Sequence, residues 1–192
     1  GRTVYDSTDN NNDGTLVLAG SATSSAWVAG KHGSALSFDG VDDYVDAVRT
    51  NFKTLNVTFE AWVKVNTIAG TQIIVTNGGG VPAYTLRITG GKFRWTVSTS
   101  PNVSVYFDSD NALAANTWYH IATTFNDTTL KGYMYVNGVL QSGILTQTGS
   151  IQLSSDGQFY LGKDPWGSFL TGLIDDVRIY NYARTPDEIR LD

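Results

Sequence analysis

The nine residues VTFEAWVKV (Val57–Val65) decide the fold class. Val57, Phe59, Ala61, Val63 and Val65 are apolar, while Thr58, Glu60, Trp62 and Lys64 alternate with them. A two-residue period sends successive side chains to opposite faces of an extended chain, so the segment reads as a strand of a sheet buried on one side. Similar runs rich in Val, Ile, Thr, Tyr and Phe occur throughout: SALSFDG (34–40), YVDAV (44–48), TQIIVT (71–76), AYTLRIT (83–89), KFRWTVS (92–98), VSVYFDS (103–109), WYHIATTF (118–125), KGYMYVNG (131–138), QFYLG (158–162) and GLIDDVRIY (172–180). Turn signals separate them, including Asp39-Gly40, Gly90-Gly91 and Asn137-Gly138, the last joining YMYV to VLQS as a tight hairpin. The chain is therefore all-β. One short helix is expected in TPDEIRLD (185–192), where Thr185 caps, Pro186 suits the first turn and Glu188 completes a capping box.

A length of 192 residues with 41% apolar and 12% aromatic residues fits one domain with a substantial core, residues 1–192. No apolar run approaches a bilayer crossing, which excludes membrane insertion. A net charge of −5 without a Lys/Arg cluster excludes a nucleic-acid partner, whose phosphates demand a basic footprint. The absence of cysteine removes disulfides, zinc thiolates and thiol nucleophiles together. Sixteen Asp against two Glu favour loops over helices. The densest polar stretch, DSTDNNNDG (Asp6–Gly14), has two readings: a polar turn whose side chains bond their own backbone, or a cage of oxygens for Ca2+.

Taken in order, SALSFDGVDDYV (34–45), VTFEAWVKV, WYHIATTF, YMYVNGVL (133–140) and GLIDDVRIYNYARTPDEI (172–189) resemble the laminin-G-like, concanavalin A-like jelly-roll domains of bacteria and archaea. The resemblance implies two antiparallel sheets packed face to face, in agreement with the alternation. It also gives the polar loop a role. YDSTDNNNDGTL (5–16) is similar to a family loop that commonly holds Ca2+, and departs from it at Asp9 and Asn11, where the family often has Gly. The implied ligands are Asp6, Asn10, Asn12 and Thr15, with an acid from IDDVRIY. Periodicity chooses Asp175 over Asp176, because Val177 and Ile179 should face the core and Asp175 shares their parity. The alternative is that Asp175 accepts backbone amides at the start of the strand. Relatives usually begin with one further strand beside GLIDDVRIY; it is missing ahead of Asp6, so that strand is expected to lack a neighbour.

The superfamily also contains glycoside hydrolases, which need two opposed carboxyl groups. Their paired glutamates on one strand have no counterpart, since Glu60 and Glu188 lie in unrelated segments. His32 and His120 have no metal-ligand spacing, no Gly-x-Ser-x-Gly elbow occurs, and NGGG (77–80) lacks the Lys-Ser/Thr of a phosphate loop. The expectation is a non-catalytic carbohydrate-binding module, one part of a larger secreted or cell-surface protein. The other reading is an adhesive or structural spacer with no glycan site. Candidate ligand residues are Trp166 and Asp164 in KDPWGSF (163–169), with Arg87, Arg94 and Tyr106 on polar strand faces. Trp62 and Trp95 are assigned to packing. The sequons at Asn56, Asn102 and Asn126 are compatible with export.

Overall fold

The computed structural model describes residues 2–18, 26–47, 55–78, 82–99, 103–149, 151 and 158–190. Val48, Gly79, Gly80, Asn102, Leu191 and Asp192, which belong to segments singled out in the sequence, lie outside them. The strands are β1 (Thr3–Val4), β2 (Gly14–Val17), β3 (Trp27–Ala29), β4 (Ser34–Asp39), β5 (Tyr44–Ala47), β6 (Val57–Val65), β7 (Gln72–Asn77), β8 (Tyr84–Thr89), β9 (Lys92–Thr99), β10 (Val103–Asp108), β11 (Trp118–Asn126), β12 (Lys131–Val136), β13 (Val139–Leu140), β14 (Leu145–Thr146), β15 (Phe159–Leu161) and β16 (Thr171–Tyr180). Helix α1 (Pro186–Ile189) follows. Each of the expected strand runs is found. Those missed, β1, β2, β3 and β14, have two to four residues, too few to display a period.

The strands form two antiparallel sheets. The first has the order β1-β2-β5-β15-β7-β8-β9-β10; the second has β13-β12-β11-β6-β16-β4-β3, with β14 also paired to β12. Phe59, Ala61 and Val63 of β6 meet Leu86 of β8 and Phe93, Trp95 and Val97 of β9 in one core. Full burial of such side chains is worth roughly 1.5–3 kcal/mol each, so this layer dominates stability. Trp95 is 1% exposed and stacks on Tyr84 at 5.9 Å, the packing role expected of it.

Local chemistry sets the connections. Gly90 and Gly91 (φ 59° and 73°) turn β8 into β9, and Asn137 and Gly138 (φ 51° and 74°) turn β12 into β13. Both pairs have the positive φ angles of two-residue hairpins. Asp39-Gly40 instead leads from β4 in one sheet towards β5 in the other. The capping box forms: the Thr185 hydroxyl accepts from the Glu188 amide at 3.3 Å, and the Glu188 carboxylate accepts from the Thr185 amide at 2.7 Å. Ile189 packs with Ala122 and Tyr135, which docks α1 on the outer side of the second sheet.

Strand β16 contains one irregularity that matters below. Asp175 lies opposite Trp62 and Arg178 opposite Glu60, so Asp176 and Val177 together span the single position of Ala61. This is a β-bulge. Asp176 takes φ 47°, a left-handed angle that aspartate tolerates. On its other side, β16 pairs with β4 over Thr171–Ile174; from Asp175 onward β6 is its pairing strand among the described residues.

Candidate functional site

The outward face of the first sheet follows from the register. Thr76, Thr85, Thr96 and Tyr106 lie in line across β7 to β10, and Ile73, Arg87, Arg94 and Asp108 form the adjacent row. Thr76 and Thr85 are only 0% and 6% exposed although they point away from the core, so the floor of this face is recessed. Tyr106 stands above it at 52% exposure.

The two arginines differ in their partners. Arg94 is clamped by Asp108, with Nε to Oδ1 at 2.6 Å and Nη2 to Oδ2 at 2.9 Å, and its guanidinium lies 4.0 Å from the Tyr106 ring centroid. The bonded guanidinium holds the Asp108 carboxyl below the usual carboxylate range. Among the described residues no carboxylate closes on Arg87 in this way. Its Nε is buried without a hydrogen-bond partner, as are the hydroxyls of Thr76 and Thr96 on the same floor. Burial, then repulsion from Arg94, lowers the Arg87 pKa, with Asp164 and Asp108 acting in the opposite sense. Buried polar groups normally find partners, so three orphans on one recessed face mark a place where a polar ligand would be bound.

A loop borders this face. Asp164 is 6% exposed, and its Oδ1 accepts the amides of Trp166 at 3.0 Å and Ser168 at 2.8 Å. Its carboxylate thus holds the loop rather than facing outward, and it projects Trp166 to 66% exposure. Lys163 pairs with Phe169 at the base of the loop and places its ammonium 3.8 Å from the Tyr44 ring and 4.5 Å from the Tyr160 ring. Tyr44, Tyr160 and Lys163 were not singled out in the sequence. Tyr44 was visible as the outward member of the YVDA alternation, opposite in parity to the buried Val45.

The polar loop closes on itself. Asp6 accepts the amides of Thr8 and Asn12, both at 2.9 Å, and the Asn12 side-chain amide at 3.1 Å, while Asp13 accepts the Asp6 amide at 2.8 Å. Burial alone would raise the Asp6 pKa, but these bonds outweigh it and hold the pKa below the ordinary value. Asn10 donates to the Thr8 hydroxyl, and Thr15 lies on β2 opposite Thr3 and Asp46. A cleft of about 380 Å3 separates this loop from β16, lined by Asp6 from the loop and, from β16, by Asp176 rather than Asp175. The bulge reverses the parity on which Asp175 was chosen. Asp175 faces out of the second sheet with Trp62, where it accepts the amides of His32 and Asp176, each at 2.8 Å. This is the backbone-accepting alternative. Asp176 is itself held by Arg178, and the loop keeps its shape through its own hydrogen bonds.

A second acidic cluster was not foreseen. The carboxylate oxygens of Asp39, Asp42 and Asp43, at the turn leaving β4, lie within 4.8 Å of one another, a grouping able to hold a metal ion.

The glutamates are both engaged in structure. Glu60 is fully buried, bound through both oxygens to Arg184 at 2.8 and 2.9 Å, with His120 Nε2 at 4.0 Å. Glu188 caps α1. His120 packs against Trp62 at 5.4 Å between ring centroids, the structural role expected for both. The described sequon residues serve turns: Asn56 accepts the Asp127 amide, and Asn126 those of Thr128 and Thr129. Among the described residues no helix is long and apolar enough to cross a membrane.

Residues 39–190 match a family profile described as the concanavalin A-like lectin/glucanases superfamily. No curated protein matches the sequence. Among solved structures, domain 4 of AbnA, a GH43 extracellular arabinanase from Geobacillus stearothermophilus in complex with arabinotriose, is similar at TM-score 0.78 and 22% identity over 96% of this chain and 90% of that one. The botulinum neurotoxin serotype D ligand-binding domain in complex with N-acetylneuraminic acid gives 0.70 and 14%, over 98% and 49% of the two chains. A native heptameric SAP-like pentraxin from Limulus polyphemus gives 0.66 and 16%, over 80% and 78%.

Proposed function

Because the chain belongs to the concanavalin A-like lectin/glucanases superfamily, we propose that it is a carbohydrate-binding module whose ligand lies on the outer face of β7 to β10, beside the 163–169 loop. The observation that carries this reading is Arg87, a cation without a clamping carboxylate whose buried Nε faces no protein acceptor. A sugar supplies what the face lacks: hydroxyl or carboxylate oxygens for Arg87, Thr76 and Thr96, and an apolar ring face for Tyr106 or Trp166. Arg94 and Asp108 satisfy each other and fix Tyr106, while Asp164 positions the Trp166 loop. Support also comes from the arabinotriose and N-acetylneuraminic acid bound by two domains of the same fold. Glu60 and Glu188 are unsuited to an opposed catalytic pair, so the module binds and does not hydrolyse. Its setting in this reading is a larger secreted or surface protein, as for the extracellular arabinanase domain. The reading does not depend on calcium at the Asp6–Thr15 loop, whose turn is held by the amides of Thr8 and Asn12 on Asp6.

The test is a glycan array carrying neutral pentose and hexose oligomers alongside uronate- and sialate-bearing ones, followed by calorimetry on the best ligand. Arg87→Met and Trp166→Ala should each weaken binding by about tenfold or more, equivalent to about 1.4 kcal/mol, with unchanged melting. Loss in Trp166→Ala alone would confine the site to the loop. A folded protein that binds no glycan would refute the reading and favour the spacer.

A further inference from the structure

The turn between β4 and β5 concentrates three negative groups with unused oxygens. Asp39 Oδ1 accepts the Val41 amide at 2.8 Å, and Asp43 Oδ2 accepts the Asp39 amide at 3.1 Å, which accounts for the shape of the turn. It leaves Asp43 Oδ1 and Asp42 Oδ1 buried with no hydrogen-bond partner. Asp43 is only 5% exposed, and its carboxylate belongs to the same cluster. The neighbouring charges are those of Asp39 and Asp42, both of its own sign. A buried carboxylate facing two others requires a proton or a cation, since isolated charges are not tolerated away from water.

We propose that Asp39, Asp42 and Asp43 form a binding site for a divalent cation of the calcium type. The donors are all carboxylate oxygens, the hard ligands that Ca2+ prefers, and Asp39 is exposed, so water has access to complete the shell. Mg2+ fits less well because it demands a near-ideal octahedron and gives up its waters reluctantly. The site lies where the chain leaves one sheet for the other. Gly162, at the base of the 163–169 loop, abuts the Phe38 ring and the Asp43 carbonyl, and Tyr44 follows directly in sequence. The ion would therefore brace this corner of the sandwich. The site is independent of the glycan reading, and it differs from the loop around Asp6 in having buried carboxylate oxygens without a hydrogen-bond partner.

Calorimetric titration of the chelator-treated protein with calcium chloride, and separately with magnesium chloride, tests the assignment. One calcium should bind with a Kd on the order of 10⁻⁵–10⁻³ M, with magnesium weaker. Asp43→Asn and Asp42→Asn should each reduce calcium affinity at least tenfold, whereas Asp6→Asn should leave it unchanged. Melting adds a second readout. In EDTA, Asp43→Asn should melt at or above the wild type, because a buried like charge is removed; in about 10 mM calcium the wild type should overtake it through ligand-linked stabilisation. No calcium heat in the wild type would overturn the proposal. So would binding that survives Asp43→Asn and Asp42→Asn but disappears in Asp6→Asn.

Discussion

Replacing Arg184 by Met should destabilise the domain more than most single changes on its surface. Arg184 donates through Nη1 to both oxygens of Glu60 at 2.8 and 2.9 Å and through Nη2 to the Glu188 carbonyl at 2.8 Å. The Glu60 side chain is 1% exposed and that of Arg184 10%, so solvent cannot replace the lost partner. Removing one member of a buried pair typically costs about 3–5 kcal/mol, because the other charge is left uncompensated. At about 2–4 °C per kcal/mol for a domain of this size, the melting temperature should fall by about 6–20 °C. Methionine retains much of the apolar stem, so the change reports mainly on charge. The double variant Glu60→Gln/Arg184→Met, lacking both charges, should recover a large part of the loss, since a neutral isostere pair avoids the desolvation cost. Urea unfolding followed by tryptophan fluorescence measures all four members of the cycle. If Arg184→Met stays within about 1 kcal/mol of the wild type, or if the two losses simply add in the double variant, the pair is not the closed unit described. The result also bears on chemistry, because a Glu60 locked by Arg184 is not free to act as an acid or base.

Hydrogen bonds from Thr8 and Asn12 depress the Asp6 pKa, so the stability they contribute is present above the ordinary aspartate value of 3.8 and is lost as the pH falls through the lower folded value. The Asp6 carboxyl, followed by NMR, should titrate below 3.8; a midpoint above it would mean that the loop is not closed in solution. Gly30→Ala should cost about 1–3 kcal/mol in denaturant unfolding, because a Cβ there would collide with Asp175 Oδ2 and the Ala35 amide; a neutral result would place Asp175 elsewhere. Asp164→Ala should free the Trp166 and Ser168 amides and shift the Trp166 emission, at about 1–3 kcal/mol of stability. Unchanged emission would show that the loop holds itself.

The alternation in VTFEAWVKV and its counterparts was sufficient for every long strand, since a half-buried sheet requires apolar residues at every second position. The hairpins at Gly90-Gly91 and Asn137-Gly138 and the capping box at Thr185 were equally legible, being set by contacts within four residues. The orientation of Asp175 was not. One inserted residue changes parity without leaving a mark in composition, so Asp175 and Asp176 look interchangeable until Trp62 and Glu60 fix the register. The contrast between Arg87 and Arg94 was hidden as well. Both alternate with apolar residues, but only Arg94 faces Asp108 across β10, and pairing between strands is not written in either strand alone. The acidic turn was overlooked because SFDGVDDYV served to recognise the fold, and burial of Asp43 appears only when β5 joins the other sheet.

The bulge in β16 acts on the tail of the domain as a frameshift acts on a message. Upstream of it, odd positions face outward and even ones inward: Ile174 meets the core and Asp175 does not. Downstream the rule is inverted, so that Ile179 lies opposite Phe59 and Arg178 opposite Glu60. Deleting Asp176 would remove the bulge yet leave Arg178 opposite Glu60 and Ile179 opposite Phe59, because the residue lost is the extra one; what would disappear is the acid turned towards the polar loop. Conversely, comparisons among relatives that count from the motif IDDVRIY without locating the extra residue will assign each acid to the wrong side. The extra residue, rather than the composition of the segment, thus decides which acid faces the polar loop.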